Sequence, residues 1–215
     1  LKAAFLHAGQ TCSAGTRLLV ERPIFDQVSE ALAARLPALT LGRGHDDPDL
    51  GPLVSAEQRG KVEGMIRSGL DDGASIITGG RFIGNASAET GHFVKPTLLT
   101  VKDTSASIAR EEIFGPVLTM MAFDTLEEAE TIANATDYGL VAGVWGRDIA
   151  RLHRLAQRIR SGQVFINCYG AGGGVEIPFG GTRKSGFGRE KGVEALQSYT
   201  QVKNVCLRID LAEGA

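Results

Sequence analysis

The sequence contains few cysteines, few aromatic residues and no long apolar run. Its cysteines, Cys12, Cys168 and Cys206, are odd in number and lack paired spacing, which argues against a disulfide framework and favours the reducing cytoplasm. Aromatic residues make up 6% of the chain, too few to suggest a surface for stacking nucleic-acid bases. No stretch approaches the roughly 20 apolar residues of a membrane span. We therefore expect neither a nucleic-acid partner nor a membrane partner.

The charge balance agrees with these two exclusions, and the histidine content excludes a further kind of site. The 23 Lys and Arg residues nearly balance 25 Asp and Glu residues, so there is no basic surplus for nucleic acid or anionic lipid. The four histidines are scattered, and no Cys/His cluster has the spacing of zinc ligands, so we predict no metal site. Glycine, in contrast, is abundant: 28 of 215 residues, about 13% against a usual ~7%.

Apolar periodicity alternates between strand and helix along the chain. Helical spacing follows Pro23, Ser55 and Asp124 and recurs over residues 149–159, and a further helix is predicted over 189–199. Ser55 with Gln58, and Asp124 with Glu127, have the form of capping boxes. This alternation predicts an α/β fold with a mostly parallel sheet flanked by helices. The predicted strands are 17–20, 75–78, 93–101, 116–123, 141–145, 163–167 and 202–209.

Cys12 is the first candidate for chemistry. It lies in the small, polar segment Gly9–Gly15, where backbone amides can approach a substrate and stabilise a thiolate. Two alternatives stand beside this interpretation. A free cysteine is often a buried small hydrophobe, and His7, five residues earlier, could pair with Cys12 in a Cys–His hydrolase.

Other segments combine charge or glycine with turns. Glu111 and Glu112 precede Phe114 and a Gly-Pro turn, so their carboxylates could accept hydrogen bonds from ligand hydroxyls or could simply be solvated. The glycine clusters at 170–174 and 186–192 are not set between a strand and a helix of a βαβ unit. They therefore predict loops and not a dinucleotide fingerprint.

Five segments taken in order carry a family resemblance. The series resembles the catalytic half of the NAD(P)-dependent aldehyde dehydrogenase superfamily from Ala8 to about Ile209. The resemblance implies that the Cys12 thiolate attacks an aldehyde or semialdehyde to give a thiohemiacetal and that a thioester follows, which water hydrolyses to the acid. NAD or NADP would be the cofactor in the full-length enzyme. The segments are Gly9–Cys12, Glu111–Val117, Asn134–Leu140, Phe165–Asn167, and Pro178–Gly181 with 185–190.

The same resemblance assigns cofactor contacts. Glu112 would hold the hydroxyls of the nicotinamide ribose, and Phe114 would pack near the nicotinamide ring. Gln58 aligns with a further ribose contact, although its position also fits the capping-box partner of Ser55.

On the substrate side, the resemblance points to the loop after Asn167. Tyr169 would form the aromatic wall of a wide mouth, with Gly170 beside it. Glu190 resembles a carboxylate of the family's proton relay, with an alternative role as a charge at a helix N-terminus.

The resemblance also divides the chain. Residues 1–198 would be the catalytic domain, and 199–215 an oligomerisation strand and tail that extends a neighbour's sheet in a homodimer or homotetramer. The family's cofactor domain and general-base glutamate precede its cysteine segment, whereas only eleven residues precede Cys12, and the chain begins with Leu1. We therefore expect a fragment that alone neither binds the cofactor nor oxidises aldehydes. Two alternatives are a CoA-acylating semialdehyde dehydrogenase domain and a non-catalytic interaction module.

Overall fold

The computed structural model describes residues 1–80, 91–170 and 174–209. Strands and helices alternate through these ranges, as the apolar spacing predicts. The helices are α1 Lys2–Phe5, α2 Phe25–Arg35, α3 Ala56–Asp71, α4 Ser107–Arg110, α5 Leu126–Asn134, α6 Ile149–Arg158 and α7 Ala195–Ser198. The strands are β1 Arg17–Glu21, β2 Ser75–Thr78, β3 Thr97–Thr100, β4 Val117–Phe123, β5 Val141–Val144 and β6 Gln163–Ile166. Within the described ranges, no helix has the length and apolar character needed to cross a bilayer.

The larger sheet has the strand order β1–β4–β3–β2. β1 and β3 both run parallel to β4, with Arg17 opposite Thr119 and Thr97 opposite Val117. β2 is antiparallel to β3 and forms one edge. The predicted α/β class with a mostly parallel sheet is confirmed, and the antiparallel edge strand is the feature that periodicity did not specify.

The core forms where two apolar strands meet α3. Leu98 and Leu99 on β3 and Met120 and Met121 on β4 are fully buried, as expected for central strands covered on both faces. Val62 of α3 is also fully buried in this cluster. The helix begins at its predicted cap, because the Ser55 Oγ accepts a 3.1 Å hydrogen bond from the Gln58 N–H.

The cap of α5 differs from the prediction by one residue. Thr125, not Asp124, is the N-cap, and its Oγ1 accepts from the Glu128 N–H at 3.1 Å. Asp124 instead receives two hydrogen bonds from the Arg22 guanidinium, of 2.6 and 2.8 Å. The predicted Asp124–Glu127 capping box is therefore wrong, because Asp124 is already occupied by an ion pair.

β5 and β6 form a separate two-stranded parallel sheet, with Val141 opposite Gln163. α6 connects them and is capped by Asp148, whose Oδ1 accepts from the Arg151 N–H at 3.1 Å. The sequence predicted these strands but not their separation from the larger sheet.

The last described segment contains little regular structure. The helix predicted over 189–199 is reduced to α7, so most of that prediction is wrong. Residues 200–209 form neither helix nor strand in the structure. Val202 and Val205 are exposed there, at 103% and 78%. An edge strand takes its hydrogen bonds from a partner, so the oligomerisation strand of residues 199–215 stays a prediction, and 210–215 lie outside the described residues.

Candidate functional site

The loop that carries Cys12 begins with a left-handed turn. His7, Ala8 and Gly9 have φ values of 51°, 55° and 73°. A Cβ on Gly9 would lie 2.1 Å from the Gly115 carbonyl oxygen, so this position requires glycine. The turn therefore presses the Cys12 loop against the residues that lead into β4.

Gln10 fastens the same loop to the segment before α3. Its Oε1 accepts a 2.8 Å hydrogen bond from the Val54 N–H, and its Nε2 donates to the Pro52 carbonyl at 3.3 Å. Cys12 itself is exposed. An exposed thiol on a fixed loop does not fit the buried-hydrophobe alternative, and it leaves the sulfur accessible to a substrate.

Thr11, next to Cys12, has an unusual hydroxyl. Its Oγ1 is buried and has no hydrogen-bond partner among the described residues. A buried hydroxyl is normally paired, because leaving it unpaired costs about 1–3 kcal/mol. The Thr11 hydroxyl is thus a group that a bound ligand could satisfy.

The three predicted cofactor residues lie around the N-terminus of α3 and the turn before β4. The Gln58 Nε2 donates to the Ile113 carbonyl at 3.0 Å and to the Phe114 carbonyl at 2.9 Å. Phe114 has a φ of 57°, a conformation that a non-glycine residue needs support to hold. Gln58 supplies that support, and exposed Glu112 directly precedes the supported turn.

This arrangement refines the prediction for Gln58. Its backbone N–H completes the Ser55 cap, while its side-chain nitrogen serves the 113–114 carbonyls. The side-chain half of the predicted capping box is therefore wrong, and the predicted contact of Gln58 with a ribose stays a prediction.

Directly after Cys12 in the loop, the Ser13 carbonyl accepts a 2.6 Å hydrogen bond from the Tyr169 hydroxyl. The Tyr169 ring stacks on Trp145 at 6.0 Å and lies 5.8 Å from the ring of Phe165. Burial raises the pKa of the Tyr169 phenol to about 12, so the hydroxyl remains a donor at neutral pH. The predicted aromatic wall is therefore a hydrogen-bonded neighbour of the Cys12 loop.

A cavity of about 170 Å³ extends from Ser13 along this wall. Gly170, predicted on the substrate side, is one of the residues that line it. Other predicted loop residues, 171–173, lie outside the described residues. The lining residues are Ser13, Val141, Gln163, Phe165, Tyr169, Gly170, Gly174, Ile177, Phe179 and Lys191.

The backbone of Glu190 is hydrogen-bonded to the wall of the cavity. Its N–H and carbonyl exchange two hydrogen bonds of 2.6 Å with Phe179, which lines the cavity. The Glu190 side chain is exposed, and α7 starts five residues later. The alternative role of Glu190 as a charge at a helix N-terminus is therefore wrong.

Segment 134–140, which is part of the resemblance, is hydrogen-bonded to Arg183 and to Ser185, of which Ser185 is also part of it. The Arg183 guanidinium donates to the carbonyls of Asn134 and Arg160, each at 3.1 Å, and also to the Thr136 carbonyl. The Ser185 Oγ accepts a 3.0 Å hydrogen bond from the Gly139 N–H. These contacts give this segment and residues 183–185 a structural role in supporting the wall of the cavity.

Sequence reasoning missed Ser13 and Lys191 at the cavity. Ser13 directly follows Cys12, and Lys191 directly follows Glu190. Their positions next to these two motif residues were the signal that the sequence offered. Their shared cavity depends on contacts more than 150 residues apart along the chain, such as the bond between Ser13 and Tyr169. Within the described ranges, no group of three or more His, Cys, Asp and Glu side chains could hold a metal ion.

Comparisons with known proteins agree with the motif series. Residues 1–205 match the Aldehyde dehydrogenase family. The chain is 44% identical over 206 residues to betaine aldehyde dehydrogenase of Bacillus subtilis, covering 95% of this chain and 42% of that protein. It is 45% identical over 202 residues to betaine aldehyde dehydrogenase 1 of Rhizobium meliloti, covering 94% and 41%.

A solved structure shows the same fold. The crystal structure of betaine aldehyde dehydrogenase from Staphylococcus aureus in complex with NAD+ superposes with a TM-score of 0.88 at 40% identity. The match covers 93% of this chain and 40% of that one. The chain thus spans about two fifths of the length of the proteins it matches.

Proposed function

This chain belongs to the aldehyde dehydrogenase family, and we propose that it is the part of such an enzyme that oxidises an aldehyde to a carboxylic acid through Cys12. The observation that carries the proposal is the position of the exposed Cys12 thiol. Its loop is bonded through Gln10 to Val54, packs at Gly9 against Gly115, and accepts a hydrogen bond at Ser13 from Tyr169. A nucleophile between a cofactor side and a substrate side is what this reaction requires.

In the proposed mechanism, the Cys12 thiolate adds to the aldehyde carbonyl and forms a thiohemiacetal. Negative charge develops on the former carbonyl oxygen, and preorganised donors stabilise it. The Cys12 backbone N–H is one such donor. Loss of hydride converts this adduct to a thioester on Cys12, and water then releases the acid and restores the thiol.

The cofactor residues of the resemblance fit a ribose. The exposed Glu112 carboxylate and the Gln58 Oε1 are both hydrogen-bond acceptors, which is what two ribose hydroxyls need. Phe114, held in its left-handed conformation, would offer an aromatic surface to the nicotinamide. When bound, NAD or NADP supplies the acceptor for the hydride.

The substrate side contributes shape and a proton acceptor. Tyr169 and Gly170 would bound the space in which the aldehyde lies. The exposed Glu190 carboxylate, adjacent to the cavity wall, would accept a proton from water during release of the acid. We propose no metal for this reaction.

We further propose that the whole enzyme is a cytoplasmic homodimer or homotetramer. The free state of all three cysteines supports a reducing compartment. The support for assembly is the apolar surface of residues 202–209, where Val202, Val205, Leu207 and Ile209 are each at least 70% exposed. We expect this 215-residue chain alone to bind the cofactor poorly and to produce no measurable NADH.

Acyl transfer to Cys12 tests the proposed nucleophile without a cofactor. The chain is incubated with p-nitrophenyl acetate, and the acetylated residue is located by peptide mass spectrometry. We expect a thioester at Cys12 that forms faster than at Cys206 and is absent in Cys12→Ser, whereas Cys206→Ser, a matched exposed-thiol control, reacts normally. Equal acetylation of Cys12 and Cys206 would contradict a specific role for Cys12.

A further inference from the structure

Asn167, the residue directly after β6, combines a left-handed backbone with a double contact to one residue. Its φ is 55°, a region that asparagine enters more readily than most other non-glycine residues. The Asn167 Oδ1 accepts a hydrogen bond from the Gly146 N–H at 2.9 Å, and its Nδ2 donates to the Gly146 carbonyl at 3.0 Å. Asn167 is exposed, so these two bonds, and not burial, hold its side chain in place.

Gly146 and Asn167 stand next to two aromatic residues whose rings stack. Trp145 lies one residue before the first of them, and Tyr169 lies two residues after the second. The ring centres are 6.0 Å apart, with 13° between the ring planes. A Cβ on Gly143 would be 2.6 Å from the Trp145 ring and 2.8 Å from the Tyr169 ring, so the stack lies directly on the β5 backbone. The Asn167 amide therefore joins the two segments that carry the stacked rings.

The Tyr169 hydroxyl connects this stack to the Cys12 loop. It donates to the Ser13 carbonyl at 2.6 Å, and a Cβ on Gly15 would lie 3.3 Å from the same hydroxyl oxygen. A continuous series of hydrogen bonds and ring contacts thus leads from Asn167 to the residue after Cys12. Packed side chains and hydrogen bonds of this kind can couple two separate positions.

We propose that Asn167 is a positioning residue for the Cys12 loop, which it holds in place through the stacked ring and the hydroxyl of Tyr169. The inference rests on the proposed function for Cys12 as the nucleophile and on the contacts above for Asn167. Both polar atoms of the amide bond to Gly146, so Asn167 acts through Tyr169 and not on the reacting atoms. Its contribution is to keep the loop fixed while charge develops on the substrate oxygen.

The circular dichroism of Trp145 shows whether Asn167 sets the stack. Trp145 is the one tryptophan of the chain, so its near-ultraviolet band reports its contact with Tyr169. Asn167→Gly removes the amide and leaves a residue that adopts positive φ readily. We expect this variant to lose most of the Trp145 band and to keep its far-ultraviolet spectrum. Gly143→Ala, which leaves the amide intact and pushes on both rings, should have the same effect.

The reactivity of Cys12 shows whether the loop follows the stack. Peptide mass spectrometry gives the rate of iodoacetamide alkylation at Cys12 relative to Cys206 in the same chain. We expect Asn167→Gly to raise this relative rate about two- to tenfold, the factor equivalent to one lost hydrogen bond, because a freer loop gives the reagent more directions of approach. Acetylation of Cys12 by p-nitrophenyl acetate should fall instead, because its tetrahedral intermediate needs donors held in place. Unfolding would move both rates in the same direction.

A double variant shows whether Asn167 acts through the Tyr169 hydroxyl. In a chain that already carries Tyr169→Phe, adding Asn167→Gly should leave the alkylation rate of Cys12 unchanged, because the hydroxyl that transmits the effect is gone. Additive effects of the two substitutions would overturn the proposal. An unchanged rate at Cys12 in a folded Asn167→Gly chain would overturn it as well.

The matched control is Asn134→Gly. The Asn134 amide also forms two hydrogen bonds with backbone, since it donates to the Arg158 carbonyl at 3.0 Å and accepts from the Arg160 N–H at 2.8 Å. We expect this control to keep the Trp145 band and the relative rate at Cys12. Equal changes in both variants would indicate general loosening and would overturn the specific role of Asn167.

The proposed function can fail without deciding the role of Asn167. If p-nitrophenyl acetate does not acetylate Cys12 in preference to Cys206, the proposed nucleophile is contradicted. The Trp145 band and the alkylation rates then still support Asn167 as a positioning residue for the loop if they change as expected, and overturn it if they do not.

Discussion

The two halves of the chain hold their shape by different means. In residues 1–134, here the packed half, buried apolar side chains form one cluster from Ala4 to Ile132. In residues 135–209, here the glycine-rich half, the described residues add only Val144 and Leu152 to the buried hydrophobic set. Backbone contacts and polar ties, such as those of Arg183, take the place of a core there.

The Cys12 loop belongs to the packed half but contacts both. Gly9 attaches it to buried Gly115 before β4, Gln10 attaches it to exposed Val54 before α3, and Ser13 accepts a hydrogen bond from Tyr169. The residues proposed as nucleophile and cofactor contacts therefore lie in the half with the apolar core. The proposed substrate wall is supported by polar contacts that can change with less effect on the core.

The largest predicted effect is on the packed half, from Arg17→Met. The largely buried Arg17 guanidinium donates to the carbonyls of Ala109 and Ile132, at 2.6 and 2.8 Å, and at 3.2 Å to that of Ala133. Burial, with Arg110 and Arg183 nearby, lowers the Arg17 pKa to about 10, so it remains charged at pH 7. Leaving these carbonyls unpaired should lower the free energy of unfolding by about 3–4 kcal/mol, measured by urea denaturation.

The control for Arg17 is Arg22→Met. Arg22 forms an exposed ion pair with Asp124, and solvent screening leaves such pairs with little effect on stability. A loss of stability in Arg17→Met no greater than in this control would contradict the importance of the buried guanidinium.

A smaller effect is expected in the glycine-rich half from Gly162→Ala. A Cβ at this position would lie 1.6 Å from the Gly180 carbonyl oxygen, so the backbone must move, at a cost of about 1–3 kcal/mol. We expect faster hydrogen exchange in β5 and β6 and little change in β3 and β4. Gly60→Ala, in α3 with open space around it, should instead stabilise the chain by about 0.5–1 kcal/mol. Uniformly faster exchange in both sheets would disprove the independence of the halves.

Tyr169→Phe tests the link between the halves. Losing its hydrogen bond to Ser13 should cost about 1 kcal/mol and raise the alkylation rate of Cys12 by loosening the loop. Because the folded phenol keeps its proton up to a pKa of about 12, above the ordinary value of 10, its contribution to stability should fall between pH 10 and 12. The ultraviolet absorbance step near pH 12 should disappear in the variant, and its persistence would reject the assignment.

The smallest effect should come from the exposed pair of Asp137 and Lys184, 2.7 Å apart. Hydrogen bonding to Lys184 lowers the pKa of Asp137, so the folded state favours the carboxylate. Stability from this pair is present at neutral pH and is lost as pH falls through that lowered pKa. The difference in Tm between the original chain and Asp137→Asn should therefore shrink from pH 7 to pH 3. A constant difference would assign the effect to another contact.

Sequence patterns predicted the packed half better than the glycine-rich half. The helical spacing of Val62 and Ile66 and the apolar run through Met120 and Met121 reflect burial against a core, which a local pattern records. The missing strand at 202–209 alternates polar and apolar residues equally well, but its partner is not encoded locally. A local apolar pattern predicts that a segment can form a strand, whereas the pairing of that strand depends on which segment lies beside it.

The same contrast applies to the candidate site. Family motifs indicated Cys12, Glu112 and Tyr169, whose residue types suit the proposed chemistry. They could not indicate that the Gln58 amide supports Phe114, or that Tyr169 donates to Ser13, because each bond joins residues distant in the sequence. Hydrogen bonds between residues far apart in the chain produce no periodic pattern in the sequence.

The Gln10 side chain takes the place of main-chain hydrogen bonds between two segments. A side-chain amide contains the same donor and acceptor as a peptide group, and here it bonds to Pro52 and Val54 as a short piece of main chain would. The Gln10 side chain thereby joins the Cys12 loop to residues 52–54 with hydrogen bonds like those between two β-strands. Glutamate at position 10 would keep the shape but replace the donor with a second acceptor facing the Pro52 carbonyl. At this position, the identity of two atoms matters more than size or hydrophobicity.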